Sequence, residues 1–313
     1  MPIQKFTESM WMKNQSGLFL PNGTQSQLSE TSSQTYLAIK EKAVKVESIF
    51  DTGGVPIPST CDLNRLITSA KELSDSWLTR RPEDIPMLLL FQTAHFDRIA
   101  EAVLPLESIC KNSSFLKKLT SGNLDFFDRK RSHAKDILWE LELWALLQNK
   151  NFKASLEEPD IIIEFEGAVI GIPCKKIYSP KNTPKVLSKA VKQAEKRYTC
   201  GIVALNIDDT LPPKKIIKTP TFDSLGEYTN SINVKFIKNN ERHFRRYLSK
   251  GRLISAMVST SILADTYEEK TRFNNSRQST IWAIPSLSPE KSTQLNNFHN
   301  QLMCRYPYQS VAS

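Results

Sequence analysis

Residues 158–176 read EPDIIIEFEGAVIGIPCKK, two apolar runs separated by Glu166-Gly167. Both runs are rich in Ile, which favours strands, and a two-residue break ending in Gly is typical of a β-hairpin turn. With that turn, Asp160 lies opposite Pro173 on the neighbouring strand. The segment therefore predicts a hairpin whose open end carries an acidic residue.

Side chains alternate along a strand, so positions 173 and 175 share one face and Lys175 lies near Asp160. An Asp at that place can bind a divalent metal, and a Lys can orient an attacking water and offset phosphate charge. Two ordinary readings stay open at this point. Asp160 can open a strand through turn chemistry, and Lys175 with Lys176 can form a solvated strand end.

The flanking segments indicate an α/β layer. A helix is predicted over 132–150, capped by Ser132, with an apolar stripe on one side. A lysine-rich helix over 183–197 and an apolar strand over 201–207 follow the hairpin. The order helix–strand–strand–helix–strand is typical of a sheet covered by helices.

This arrangement resembles the PD-(D/E)XK nuclease superfamily. The matching motif is Pro159-Asp160, about a dozen residues, and then Lys175 two positions after Pro173. The resemblance covers about 75 residues, roughly 132–208, and implies a restriction-endonuclease-like core. The motif is short, and its support comes from four features in the right order on the right kinds of element.

Two helices complete the resemblance. The preceding helix carries Glu140 and Glu142, similar to the acidic first helix of the superfamily. The following helix carries Gln193 in KQAEK, similar to the QxxK type, whereas a QxxxY version would need Tyr198 one position earlier. Helix positions two apart diverge by about 200°, so only one of the two glutamates should point at the sheet, and Glu142 is favoured.

The resemblance implies a role for each matching residue. Lys175 would position the attacking water, and Gln193 would orient that water or Lys175. Mg²⁺ or Mn²⁺ would be held by Asp160 as the principal ligand, by a helix glutamate and by one backbone carbonyl. The implied catalytic residues are Asp160, Lys175, Glu142 and Gln193; the implied metal ligands are Asp160, Glu142, Glu140 and the carbonyl of Cys174.

Pro173 departs from the pattern, which expects Asp or Glu there. Proline has no side-chain ligand and no N–H, so it suits an edge strand or a bulge. Three outcomes are open: metal bound by Asp160, a helix glutamate and waters; a migrated carboxylate; or a lapsed site that keeps only the shape. Glu164 and Glu166 share the face of Asp160 but lie roughly 13 Å or more away by strand rise.

Elsewhere the pattern predicts a mainly helical region over 1–125, which would bind a partner or set specificity, and a nuclease-like domain over 126–313. The apolar spacing in 36–60 fits a strand or a helix following Ser33. Further predicted elements are a strand near 17–20, helices from Asp62 and from about Pro82 through 88–103, a loop or insertion over 209–235, a helix over 239–249, strands over 253–263 and 279–284, and a closing helix after Pro289.

The formal net charge is +9, which fits an acidic partner such as nucleic acid. Basic side chains concentrate after the hairpin and in the segment ERHFRRY, where Phe244 and Tyr247 interleave them. Such a surface can bind phosphates and stack bases, or be the solvated face of a helix with buried aromatics. The candidate nucleic-acid contacts are Lys176, Lys181, Lys185, Lys189, Lys192, Arg242, Arg245 and Arg246.

Five scattered cysteines without a CxxC pair predict free thiols in a reducing compartment, and therefore a cytoplasmic protein. No signal peptide, no run of about 20 apolar residues and no histidine pair with metal-ligand spacing is found. The GxxxxGK[ST], GxSxG and GxGxxG motifs are also missing, which disfavours an NTPase, a serine hydrolase and a dinucleotide reader.

The sequence therefore predicts an α/β (α+β) fold, with a restriction-endonuclease-like core of central mixed β-sheet flanked by helices and a mainly helical N-terminal region. The first hypothesis is a metal-dependent nuclease acting on DNA, of a kind that serves restriction, repair or antiphage defence. The second is a lapsed nuclease fold that binds nucleic acid or protein. A third is a helical scaffold whose α/β part is structural. A protein partner or self-association is open, and a membrane partner is not expected.

Overall fold

The computed structural model describes residues 11–13, 19–21, 25–29, 33–109, 113–198, 201–212, 216–268, 273–284 and 287–303. Helices cover most of the first half of these ranges, and strands alternate with three further helices in the second. The α-helices are α1 (Ser33–Thr52), α2 (Asp62–Thr79), α3 (Met87–Val103), α4 (Ser113–Thr120), α5 (His133–Asn149), α6 (Thr183–Glu195), α7 (Phe222–Leu248) and α8 (Pro289–Met303).

Short 3₁₀ helices lie between several of these elements, at Pro82–Asp84, Leu104–Ile109, Pro180–Asn182 and Asp208–Thr210. The strands are β1 (Trp11–Lys13), β2 (Phe19–Pro21), β3 (Gln25–Ser29), β4 (Lys153–Ser155), β5 (Ile161–Phe165), β6 (Ala168–Ile172), β7 (Cys174–Lys176), β8 (Ile202–Asn206), β9 (Ile217–Thr219), β10 (Ser255–Thr266) and β11 (Phe273–Trp282).

The hairpin of β5 and β6 has the predicted register. Phe165 pairs with Ala168 and Ile161 with Ile172, so Asp160 and Pro173 flank the open end of the hairpin. Gly167 adopts a φ of +76°, which a glycine reaches without steric cost. With β4 these strands form an antiparallel sheet of three, in the order β4-β5-β6.

The larger sheet is mixed. Its order is β3-β11-β10-β8-β7, and β9 pairs with the far end of β10. Strands β7, β8 and β10 are parallel, while β10 pairs antiparallel with β11 and β11 with β3. β7 is therefore at one edge of this sheet, next to the hairpin.

Pro173 is where the chain passes from the small sheet to the large one. It is the single residue between β6, in the small sheet, and β7, in the large one. Its carbonyl accepts a hydrogen bond from the amide of Ala204 at 3.0 Å, so the proline still pairs toward β8 on its carbonyl side. Because proline needs no partner for an N–H, it suits a residue that leaves one ladder and enters another.

Helices cover both faces of the large sheet. Side chains of one face, among them Ala204 and Met257, pack in a hydrophobic cluster with α3 and α5. The alternate side chains, among them Leu205 and Val258, pack with α6 and α7 in a second cluster. The alternation of the strands therefore separates the two cores, and this architecture confirms the predicted mixed sheet flanked by helices.

The N-terminal helices share a core with the sheet. The larger cluster extends from Ile39 on α1 to Leu302 on α8 and includes the buried stripe of α5. Helices α1 to α4 confirm the mainly helical character predicted for this part of the chain. The boundary between 125 and 126 stays a prediction about domain organisation.

Individual elements differ from the sequence predictions in two places. The segment 36–60, left open between strand and helix, lies mostly in α1. The loop predicted over 209–235 is wrong in its second half, because α7 begins at Phe222, capped by the Thr221 hydroxyl, which accepts from the amide of Ser224. The three prolines of the segment lie before this helix.

Among the helices of the described ranges, none combines the length and the apolar character that a membrane span requires.

Candidate functional site

Three side chains and one backbone amide meet at the open end of the hairpin. The Asp160 carboxylate accepts from the amide of Cys174 at 2.7 Å and from Lys175 Nζ at 2.6 Å. Its other oxygen accepts from Gln193 Nε2 at 3.0 Å. The structure therefore brings together Asp160, Lys175 and Gln193, which the sequence placed in one site.

The backbone of Asp160 is strained. Its backbone angle φ is +147°, a value that residues other than glycine rarely adopt and that costs roughly 1–3 kcal/mol in them. The side-chain bonds to Cys174 and Lys175 hold this conformation. Backbone strain of this kind clusters at functional sites, which supports a functional role for this corner of the molecule.

The position of β7 at the sheet edge explains why the amide of Cys174 is available to Asp160 and does not pair with another strand. The residues on either side of Cys174 turn toward β8, so the Cys174 N–H faces the opposite, open side, where it meets Asp160. In an extended strand the carbonyl of a residue points the same way as its N–H, so the Cys174 carbonyl also faces the open side. Its thiol is buried and donates to the carbonyl of Ile172.

Gln193 links α6 to the start of β5. Its amide also donates to the carbonyl of Pro159 at 2.6 Å, so a single side chain binds two successive residues. Tyr198 packs against the same corner: a Cβ added at Gly171 would lie 2.8 Å from its ring and 3.0 Å from Pro159. Sequence reasoning gave Tyr198 no role because its spacing from Gln193 did not match a motif.

Glu140, on α5, is the helix glutamate that lies near Asp160. The pKa of Glu140 is raised to about 8, chiefly by burial and then by the negative charge of Asp160, against the opposing effect of Lys175. Burial also raises the pKa of Asp160, against the opposing effects of Lys175 and the two other donors. Two carboxylates thus share a partly dry corner, where a proton or a cation relieves their repulsion.

Glu142 was the favoured metal ligand, and this preference is wrong. The carboxylate of Glu142 is fully buried and forms ion pairs with Arg98 at 2.5 Å and with Arg277. It shares the stripe of Leu138 and Leu146, which points into the core, while the roughly 200° between alternate helix positions turns Glu140 the other way.

Lys176 was predicted to contact nucleic acid, and this is also wrong. It is buried on the face opposite to Lys175, where its Nζ donates to Asn206 at 2.7 Å and pairs with Asp209 at 3.0 Å. Neighbouring residues of a strand point to opposite faces, so Lys175 lies at the Asp160 corner while Lys176 lies in the protein interior.

A buried ion network fills the space between α3, α5 and the sheet. Arg98 joins Glu142 to Asp208, and Lys176 joins Asp208 to Asp209. Sequence reasoning missed it because its partners are far apart in the chain and no local pattern marks them. The network members are Arg98, Arg129, Lys135, Lys176 and Arg277, with Glu142, Asp208 and Asp209.

The other two carboxylates of the hairpin have surface partners. Glu164 pairs with Lys153 across the small sheet, and Glu166 accepts from Asn297 at 2.7 Å. Both are exposed at the far end of the hairpin from Asp160. Neither replaces the carboxylate missing at Pro173.

The remaining basic candidates are at the surface. Lys181 precedes α6, and Lys185, Lys189 and Lys192 are exposed along it. On α7 the aromatic residues of ERHFRRY are buried, so they do not offer a stacking surface, and one arginine pairs with Glu241 at 2.6 Å. The exposed arginines of this segment are Arg242, Arg245 and Arg246.

The donors around Asp160 suit a hard divalent ion. Two carboxylates and a backbone carbonyl offer oxygen only, and Mg²⁺ is commonly bound by one or two carboxylates with waters completing the shell. Within the described residues, no three His, Cys, Asp or Glu side chains are grouped as a metal site. Asp160 and Glu140 could therefore hold such an ion only with the Cys174 carbonyl and water.

No protein-family model matches the chain, and no curated protein and no solved structure is significantly similar to it.

Substitution of the two helix glutamates should separate their roles. Because Glu140 has a folded pKa near 8 and an unfolded value of about 4.3, the folded protein binds more protons between these values, and stability falls as pH rises across that window. Glu140→Gln removes this loss. Its free energy of unfolding, measured by urea titration without metal, should match wild type near pH 5 and exceed it progressively toward pH 9.

Glu142→Gln is the matched variant. It leaves Arg98 and Arg277 short of a buried negative charge, so we expect it to lower the free energy of unfolding by about 3 kcal/mol or more. The pKa of Glu142 is lowered, so this penalty should stay constant from pH 5 to pH 9. Equal and pH-independent effects of the two substitutions would contradict the assignment.

Proposed function

We propose that the protein is a divalent-metal-dependent nuclease that hydrolyses phosphodiester bonds in DNA at the Asp160 site. The observation that carries the proposal is the meeting of Asp160, Lys175, Glu140 and Gln193 at one open sheet edge. These residues come from the start of β5, from β7, from α5 and from α6. The order α5-β4-β5-β6-β7-α6-β8 supports a restriction-endonuclease-like core.

In this proposal Asp160, Glu140 and the carbonyl of Cys174 hold Mg²⁺ or Mn²⁺. When bound, the ion polarises the phosphoryl oxygens of the substrate. Glu140 would have to ionise to hold the ion, because burial first and the negative charge of Asp160 second raise its pKa in the metal-free protein.

Lys175 and Gln193 act directly on the reaction geometry. The Lys175 ammonium would release one hydrogen bond to Asp160 and orient the attacking water while offsetting the charge of the phosphate. Gln193 keeps Asp160 in place through two hydrogen bonds from one amide, which limits the movement of the carboxylate. Glu140, protonated near neutral pH without a cation, can carry a proton at the same corner.

The exposed lysines of α6 support DNA as the substrate in this proposal. Lys185, Lys189 and Lys192 precede Gln193 on the same helix and can contact the phosphate backbone beside the site. A cytoplasmic role in restriction or antiphage defence goes with this proposal, and the helices before residue 126 would contact a protein partner or set specificity.

A second candidate is a lapsed nuclease that binds nucleic acid. Pro173 favours it, because the position that should supply a carboxylate instead serves the passage between two sheets. The ion pair of Lys175 with Asp160 also satisfies both residues without a cation.

Cleavage of plasmid, linear and single-stranded DNA in Mg²⁺ or Mn²⁺ tests the first candidate. Asp160→Asn and Lys175→Ala should each lower the rate by on the order of 10²-fold or more, because the first removes a metal ligand and the second removes the group that orients the attacking water. Glu164→Gln removes the same charge as Asp160→Asn, four residues along the chain at an exposed position of β5, and should stay within twofold of wild type. Cleavage that persists in Asp160→Asn would reject the site.

Salt-dependent DNA binding tests the second candidate. Replacing Lys185, Lys189 and Lys192 by Gln should weaken binding and flatten the plot of log K against log salt by about 2 to 3 units if each contacts one phosphate. The matched control replaces three exposed lysines outside α6, Lys45, Lys130 and Lys250, and should leave the slope unchanged. Binding without cleavage, unchanged in Asp160→Asn, would favour the lapsed form.

A further inference from the structure

A second pocket opens on the buried ion network, on the face of the sheet opposite to Lys175. Its volume is about 50 Å³. Three cations line it, Arg98, Arg129 and Lys176, together with the carboxylates Asp208 and Asp209. Asp160 does not line it, so this pocket is separate from the proposed nuclease site.

The network that borders the pocket has more positive than negative charge. Its ion pairs connect five cations to three carboxylates among the described residues, while Asp125 and Asp128 act on Lys135 and Asp136 on Lys176 from further away. His95, also at the pocket, adds no charge, because burial and the nearby arginines lower its pKa to about 3. Charge in a buried place is costly unless it is paired, so the network is suited to an added anion.

Both carboxylates at the pocket have cationic partners in the protein, although Asp209 Oδ2 has no hydrogen bond among the described residues. Asp208 accepts from Arg98 at 2.9 Å and from the amide of Ser261 at 2.6 Å. Asp209 lies 3.0 Å from Lys176 and 3.8 Å from Lys135. The negative charge of these two carboxylates is therefore offset by the neighbouring cations.

Arg129 has unused hydrogen-bonding capacity. One of its terminal nitrogens donates to the carbonyl of Pro212 at 3.2 Å, and another lies 4.0 Å from Asp209. Its Nε is buried and has no hydrogen-bond partner among the described residues. A buried donor of this kind costs stability until an acceptor arrives, and the planar guanidinium suits an oxyanion.

The size of the pocket selects the ligand. A cavity needs roughly 10–15 Å³ to hold a water, so a pocket of about 50 Å³ has room for more than one water or for a small tetrahedral oxyanion. A whole nucleoside does not fit inside. An aromatic side chain, Tyr228, is exposed beside it and could contact a group attached to the anion.

We propose that this pocket binds a phosphate group, with Arg129 as its principal donor and Arg98 and Lys176 supplying positive charge. The phosphate is either free inorganic phosphate or the terminal phosphate of a nucleotide. Both present the same tetrahedral dianion, and the difference lies in whether a base remains outside the pocket.

Isothermal titration calorimetry with inorganic phosphate, at ionic strength held constant with chloride, tests the proposal. Wild type should bind phosphate, and Arg129→Gln should raise the Kd by about tenfold or more, because it removes a charge-assisted donor. Arg131→Gln is the matched control: it removes the same charge two residues away from a side chain that is 82% exposed, and should stay within twofold.

Arg129→Lys keeps the positive charge but loses the planar guanidinium and its paired N–H donors. Its Kd for phosphate should therefore lie between those of wild type and Arg129→Gln. Circular dichroism of each variant checks that the fold is retained. No binding of phosphate by wild type at millimolar concentration would overturn the proposal, and so would equal Kd values for folded wild type and Arg129→Gln.

Two further titrations identify the source of the phosphate. Deoxyadenosine monophosphate that binds more tightly than phosphate and competes with it assigns the pocket to a nucleotide terminus. Binding of phosphate alone assigns it to the free ion. Deoxyadenosine, which has no phosphate, should not bind; if it binds as tightly as its monophosphate, the proposal is wrong.

Discussion

The Asp160 carboxylate ties the small sheet to the large one. It belongs to the residue before β5, and it accepts from the first amide of β7 and from a side chain of α6. These bonds fix the open end of the hairpin where the chain passes through Pro173 into the edge strand. The strained backbone of Asp160 is tolerated because three donors hold its side chain. The position of Lys175, and with it the candidate site, depends on this joint.

Alternation then divides neighbouring charged residues between two places. Lys175 joins Asp160 at the open edge, while Lys176 enters the buried network. Glu140 and Glu142 are divided in the same way by the turn of α5. One member of each pair lies at the Asp160 corner, and the other belongs to the buried ion network. Lys175 and Lys176, which are adjacent in β7, therefore belong to the two candidate sites on opposite faces of the sheet.

The hairpin register, the helix before it and the strand after it follow from local patterns, because turn chemistry and apolar period act over a few residues. The same locality made Gln193 and Lys175 predictable. The choice of Glu142 over Glu140 failed because leucine spacing identifies the buried side of a helix. A glutamate on that side pairs with buried arginines and does not face a metal site. Arg98 and Asp208 are 110 residues apart, so no local pattern could have paired them. The extent of α7 was missed because prolines before it suggested a loop for the whole segment.

Direct titration of Mn²⁺ into the metal-free protein, followed by calorimetry, tests whether Asp160 and Glu140 form a cation site despite Pro173. Wild type should bind one Mn²⁺, and Asp160→Asn and Glu140→Gln should each weaken binding by about tenfold or more, since each removes one of two carboxylate ligands. Glu164→Gln should bind as wild type does. Absence of Mn²⁺ binding by wild type at millimolar concentration, or affinity unchanged in Asp160→Asn, would contradict the account.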